Sequence, residues 1–185
     1  VDDTRYLLQR GLAALRGTTR LGLLELMPLA DIVPEQITEE NISFGLAPRL
    51  NALGRLGDAN EAVDLLTTDD LERARLLANR LEALNAERKM LLEQVYQGAL
   101  AQVESDPTLL NYGVLVLEHE RWPGGVIGIA ATRLAEDFNR PVILFNAEPD
   151  GMARGSARSV AGIDITAAIA AAAEAEDDLL HGYGG

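Results

Sequence analysis

Two short stretches of the chain carry the residue types that grip an anion. In Ala47-Pro48-Arg49-Leu50-Asn51-Ala52-Leu53-Gly54-Arg55-Leu56, two guanidiniums and an amide share a segment that Pro48 stiffens and Gly54 loosens. A guanidinium is a planar fork matched to phosphate or carboxylate oxygens, so Arg49, Asn51 and Arg55 read as a phosphate-positioning loop. The plainer reading makes Arg49 and Arg55 surface partners of Asp58 and Glu61. In Ala153-Arg154-Gly155-Ser156-Ala157-Arg158-Ser159, a β-strand would alternate Arg154, Ser156 and Arg158 onto one face, two cations and a hydroxyl with no carboxylate between them. That row suits an anionic ligand with several oxygens, and Gly155 would let a backbone come close. A polar sheet face turned to water is the alternative.

A third stretch, Trp122-Pro123-Gly124-Gly125-Val126-Ile127-Gly128, opens a helix with glycines. Free amides at a helix start can cradle phosphate. Here the Lys-Ser/Thr of a P-loop is missing and the dinucleotide spacing is not met, so tight helix-to-sheet packing competes as the reason for the glycines. Nothing in the chain forms a catalytic set. There is no Cys, and the two His, His119 and His181, sit among charged residues and in a glycine-rich end respectively. The acidic run from Glu174 to Asp178 has the wrong spacing for a calcium loop and reads as the exposed face of a helix. Arg154-Gly155-Ser156-Ala157-Arg158 lacks the second glycine of a nucleophile elbow.

The elements that must position these groups follow from periodicity. Apolar spacing predicts short helices over 5–15, 21–29 and 60–66, a further helix start at Thr38-Glu39-Glu40-Asn41, and an irregular segment over 44–58 where Pro48 and three glycines intervene. Asp69 with Glu72 reads as a capping box for a helix over 70–104, about 50 Å long at 1.5 Å per residue, long enough to connect two bodies. Beyond it the period changes. Strands are predicted over 113–117, 141–145 and 152–160, helices over 125–138 and from 165 to about 180 capped by Asp164, and a turn at Glu148-Pro149-Asp150-Gly151. The fold class is therefore α/β: a helical N-terminal segment, a long connecting helix, and a small α/β domain with a mixed sheet.

Composition sets the limits. At 185 residues, 48% apolar and 24% charged, the chain can bury a core, and no apolar run is long enough for a membrane span, so a soluble cytoplasmic protein is expected. A net charge of −13, with residues 1–70, 71–110 and 111–185 each more acidic than basic, excludes a broad nucleic-acid-coating surface. It leaves room for a local phosphate site, because screening limits the summed charge to about 8 Å. Of the 16 basic side chains all but Lys89 are arginines.

Three stretches together resemble the RecJ single-stranded-DNA-specific exonucleases of the DHH phosphoesterase superfamily. They are Phe44-Gly45-Leu46-Ala47-Pro48-Arg49-Leu50-Asn51-Ala52-Leu53-Gly54-Arg55-Leu56, Trp122 to Ala131, and Arg154 to Ser159 with Gly162-Ile163-Asp164; Leu84 to Lys89 and Gly184-Gly185 also look familial. The likeness runs through nearly the whole chain in order. It implies a piece of a longer enzyme in which residues 1–69 end the DHH domain, 70–106 connect, and 107–185 form the DHH-associated substrate-binding domain, cut short. On this resemblance Val1 follows just after the last metal-binding motif, and both ends are boundaries of cloning or proteolysis.

The resemblance implies no cofactor in this piece, with Mn²⁺ or Mg²⁺ held by an upstream Asp-His-His domain. It makes Arg49, Asn51, Arg55, Arg154, Gly155, Ser156 and Arg158 substrate-binding residues, the first three bordering the catalytic cleft and the others facing it. The implied activity is 5′ to 3′ degradation of single-stranded DNA in repair and recombination. The implied partners are that strand, a RecQ-like helicase and a single-strand-binding protein, with no membrane. A phosphodiesterase for oligoribonucleotides or cyclic dinucleotides, and a non-catalytic replication scaffold, are the competing readings within the same superfamily.

Overall fold

The computed structural model describes residues 2–147, 152–176 and 180–184. Two compact units divide at Lys89 and Met90.

Unit 1 is all helical: α1 (Asp2–Arg16), α2 (Leu21–Leu29), a 3-10 turn (Pro34–Gln36), a π-helix (Asn41–Leu46), α3 (Ala47–Leu56), α4 (Asn60–Thr67) and the beginning of α5 (Leu71–Ser105). Leu23, Leu26 and Met27 recur at helical spacing on α2 and are buried with Leu53, Leu65 and Leu81. Just past the end of α2 stands Asp31, whose backbone is left-handed at φ 56°, a position more often given to glycine or asparagine.

The irregular segment expected over 44–58 is helical instead. Pro48 stands in the first turn of α3, where its missing N–H costs nothing. The wider π-turn ahead of it makes room for a ring that would otherwise press on the preceding turn. The helix then stops at Gly57, whose N–H donates to the Leu53 carbonyl at 2.8 Å. The cap of α5 also differs from expectation. Asp70, not Asp69, accepts the backbone N–H of Glu72 at 2.9 Å and of Arg73 at 3.2 Å. Three residues beyond Asp70 stands Arg73, so no capping box closes, and Arg73 pairs with Asp64 on α4.

Unit 2 holds the rest of α5, a 3-10 turn (Pro107–Asn111), β1 (Leu115–Glu118), α6 (Gly124–Phe138), β2 (Val142–Ala147), β3 (Ala153–Arg158) and α7 (Ile165–Ala175). The sheet order is β1-β2-β3, with β1 parallel to β2 and β3 antiparallel to it, which is the expected mixed sheet. α6 buries Val126, Ile127, Ala130, Ala131, Leu134 and Ala135, one continuous face, against Leu115, Val142 and Leu144. Its end is set by Asn139 at φ 46°. Val95 and Ala99 of α5 join the same core. Gly98 lets the Trp122 indole lie against α5, where a methyl group would stand 3.3 Å from Nε1.

A polar clamp fastens α5 to α6. The Tyr96 hydroxyl donates to Asp137 at 2.7 Å, and the Arg133 guanidinium lies 3.6 Å over the Tyr96 ring while bonding Glu93 at 2.8 Å. The hydrogen bond to Asp137, then burial, raises the Tyr96 phenol above its ordinary value. Hydrogen bonds from Gln97 and Arg133 hold the Glu93 carboxyl below its own. The turn expected at Glu148-Pro149-Asp150-Gly151 lies outside the described residues, and the last helix, expected to reach about Leu180, ends at Ala175, where Glu176 turns extended. Among the described residues no helix is long and apolar enough to cross a membrane.

Of the described glycines in unit 1 the most crowded is Gly22 on α2, where a methyl group would fall 1.8 Å from the Leu65 carbonyl oxygen on α4. A backbone atom cannot swing aside. Gly22→Ala is expected to cost about 3 kcal/mol, the upper end for overpacking, while Gly11→Ala on α1, with open space around it, gains up to about 1 kcal/mol of helix propensity. Thermal melts of the two variants compare them directly, and coincident midpoints would refute the packing described.

Candidate nucleic-acid interface

Of the strand expected over 152–160, residues 153–158 form β3, and alternation does place Arg154, Ser156 and Arg158 on one face of it. In the antiparallel register they stand opposite Asn146, Leu144 and Val142 of β2. Val142 and Leu144 are fully buried under α6, so the polar row continues, at the edge strand, the face that the helix packs on. The row therefore borders α6. A methyl group on Gly128 would stand 2.8 Å from Ser156 Oγ and 2.9 Å from Arg158 Nη2. One on Gly124 would stand 3.8 Å from Asn146 Nδ2.

The second and third anion-binding stretches of the sequence thus meet in space. Packing explains Gly128 directly, because only a residue without a side chain lets these two polar groups lie against the helix. The start of α6 carries no side-chain cap, since Pro123 occupies that position. Asn146, opposite Arg154, keeps a buried Oδ1 without a hydrogen-bond donor among the described residues.

Arg158 is held from two sides. Its Nε donates to Thr132 Oγ1 at 3.1 Å and Nη1 to the Ala157 carbonyl at 2.6 Å. Thr132 in turn donates to the Gly128 carbonyl at 3.0 Å. Arg154 and Arg158 are exposed and Ser156 is half-buried, so the row reaches the surface. Periodicity alone identified the row. It gives no sign of Thr132, whose spacing of four from Gly128 along a helix is the available signal, while the helix-to-sheet packing read for the glycines holds at Gly128.

Gly155 is placed otherwise than expected. It faces away from the row, and a methyl group there would stand 2.5 Å from Cε1 of Phe145, its register partner. The glycine seats an aromatic ring on the opposite face of the sheet.

The stretch over 47–56 separates into two kinds of residue. Arg49 is buried, its Nε paired with Glu82 on α5, Nη1 donating to the Gly45 carbonyl at 2.8 Å and Nη2 to the Leu29 carbonyl at 2.7 Å. All three of its nitrogens have partners inside unit 1, an arrangement that favours a structural role over the expected substrate contact. Asn51 and Arg55 are exposed on α3, a helix and not a loop. Burial, and then the charge of Arg55, push the Arg88 guanidinium below its ordinary value. Arg88 donates to Oδ1 of the fully buried Asn85 at 2.9 Å.

His119 stacks on Trp122 with ring centroids 5.8 Å apart, and its Nδ1 accepts the Arg121 N–H at 3.0 Å. With Gln94 and Gly98 these residues line a cavity of about 210 Å³ in unit 2. Among the described residues, no three His, Asp or Glu side chains come together as a metal site.

Residues 111–185 match the DHHA1 domain family. The single-stranded-DNA-specific exonuclease RecJ of Salmonella typhimurium is 38% identical over 99% of this chain and 32% of its own length. The same-named protein of Bacillus subtilis is 37% identical over 100% of this chain and 23% of its own. The crystal structure of RecJ from Thermus thermophilus in complex with Mn²⁺ superposes with a TM-score of 0.80 at 35% identity, covering 98% of this chain and 25% of that one. The chain thus spans about a third, or less, of the length of these relatives.

The division of the arginines is testable on stability alone. Arg49→Ala strands Glu82 and two carbonyls and is expected to cost about 3 kcal/mol, as for other broken buried pairs. Arg55→Ala, at an exposed position, is expected to change stability by less than about 0.5 kcal/mol. Urea denaturation separates the two, and a neutral Arg49→Ala would return that residue to the ligand-facing set.

Proposed function

We propose that the chain is the strand-gripping part of a metal-dependent 5′ to 3′ single-stranded-DNA exonuclease, a reading supported by the match of residues 111–185 to the DHHA1 domain family and by the similarity of nearly the whole chain to a segment of RecJ exonucleases. The observation that carries the reading is the row of Arg154, Ser156 and Arg158 seated along α6. Four residues of strand put the Cα atoms of the two arginines about 13 Å apart, a span suited to more than one phosphate of an extended backbone. Ser156 adds a donor between them. Such contacts fix register on a strand without reading its sequence. Asn51 and Arg55 on α3 are proposed as separate backbone contacts made by unit 1.

The chain's own residues supply binding and orientation. Arg154 and Arg158 would neutralise phosphate oxygens with charge-assisted hydrogen bonds, and the Thr132 bond keeps the Arg158 fork from swinging into solvent. Mn²⁺ or Mg²⁺, present in the solved relatives, supplies activation of water for phosphodiester attack when bound to such enzymes. The described residues of this chain do not form a set that would hold it, and no step of hydrolysis is assigned to them.

Titrating the chain with a 5′-phosphorylated oligothymidylate at several salt concentrations tests the reading. Arg154→Ala and Arg158→Ala are each expected to weaken binding by about 1.5 to 3 kcal/mol. Each should also flatten the plot of log K against log salt by about 0.7, the value for one single-strand phosphate contact. Unchanged affinity and slope in both variants would overturn the proposal. Tighter binding of two-to-five-nucleotide substrates than of long strands would point to the oligonucleotide phosphodiesterases instead. Labelled strands incubated with Mn²⁺ and the chain alone should stay intact, and metal-dependent degradation would contradict a purely strand-gripping role.

A further inference from the structure

We propose that Thr132 and Gly128 are positioning residues for Arg158, forming a helix-borne platform that fixes the direction of its guanidinium. The inference rests on the reading of Arg158 as a phosphate contact and concerns how that contact is preset.

A threonine hydroxyl has one proton to give. At Thr132 it goes to the Gly128 carbonyl one turn back, at 3.0 Å, so the oxygen's lone pairs are left for Arg158 Nε at 3.1 Å. The chain of donors therefore runs one way, from guanidinium to hydroxyl to helix carbonyl. Thr132 is β-branched and half-buried on α6, which stiffens its side-chain torsion and makes it a firm acceptor. On the other flank Nη1 is tied to the Ala157 carbonyl at 2.6 Å. Nη2 lies over Gly128 and has no acceptor among the described residues. With two corners of the fork tied down, the third is the one presented to an oxygen anion, and little side-chain freedom remains to be lost on binding.

Gly128 supplies the space. A methyl group there would stand 2.8 Å from Ser156 Oγ and 2.9 Å from Arg158 Nη2. Both atoms are ends of side chains, so a substitution would displace the binding groups and leave the strand in place. The platform thus couples a helix packing position to the geometry of the polar row.

The test uses the 185-residue chain and a 5′-phosphorylated oligothymidylate as probe. Thr132→Val keeps the shape and removes the hydroxyl, and is expected to weaken binding about fivefold, the worth of one hydrogen bond. Thr132→Ser should restore affinity to within about twofold. In an Arg158→Ala background Thr132→Val should have no further effect, because the hydroxyl acts only through the guanidinium. Gly128→Ala should lose as much binding as Arg158→Ala with no fall in melting temperature. The Arg158 Nε–H resonance should exchange faster in Thr132→Val than in the parent chain. Full affinity in Thr132→Val, or an equal loss in the Arg158→Ala background, overturns the platform. If Arg158→Ala itself binds normally, the underlying phosphate reading fails first, and the two failures are thereby told apart.

Discussion

A guanidinium carries five N–H groups in a rigid plane and keeps its charge at any accessible pH, so a fold that takes one in must bring acceptors to it from fixed directions. That requirement sorts the arginines of this chain. Arg49 is enclosed by Glu82 and by the carbonyls of Gly45 and Leu29. Arg20 bonds the Leu66 carbonyl at 2.7 Å, and Arg140 bonds those of Leu110 and Tyr112 at 2.7 and 2.9 Å. Leu29 is the last residue of α2, and Leu66 stands next to the end of α4. At those two sites the guanidinium supplies donors that helix ends lack, and favours the negative end of the helix dipole. Arginine is in this sense part of the framework of unit 1. Arg158 meets a different set, one hydroxyl and its neighbour's carbonyl, which orients the fork without enclosing it.

The same constraint explains what the sequence revealed and what it hid. Period-two alternation was enough to set Arg154, Ser156 and Arg158 on one face, because a strand leaves no other choice once its span is right. The helix α6 and the two strands flanking it were equally legible, since each is a short run of one period bounded by turn residues. Arg49 and Arg55 look alike from their neighbours in sequence. What distinguishes them is Leu29, twenty residues before Arg49, and Glu82, thirty-three after it, and no local pattern records those acceptors. Gly155 is hidden in the same way, and at Gly128 the helix-to-sheet packing holds but its contact atoms are not legible. Each is explained by an atom on another element, the Phe145 ring in one case and the Arg158 fork in the other.

Where the local reading of unit 1 went astray, the cause was punctuation taken too literally. Gly45, Pro48 and Gly54 suggested a break, but proline in a first turn and a π-widened turn before it are compatible with continued helix. The cost of the glycines is absorbed elsewhere. A side chain at Gly45 would press on Ile32 at 2.8 Å, so at least that glycine is needed for packing. The misplaced cap has a simpler origin: two adjacent aspartates could both begin α5, and the choice between Asp69 and Asp70 is settled by which carboxylate meets two amides at once.

A net charge of −13 would at first argue against any polyanion as ligand. Distance decides otherwise. Charges farther than about 8 Å are largely screened at physiological salt, whereas a guanidinium 4 Å from a phosphate at an effective dielectric near 20 gains about 4 kcal/mol. Within the row on β3 there is no carboxylate, and β2 offers Asn146, Leu144 and Val142 opposite it. Any attraction is therefore short-ranged, and it acts only on an anion already in contact. With the distant charges screened, no long-range attraction draws nucleic acid in, and affinity for an anion would depend on how well each fork is aimed. If the row binds phosphate as proposed, the orientation of Arg158 carries more weight than the number of arginines, and its bond to the Thr132 hydroxyl is what would set that orientation.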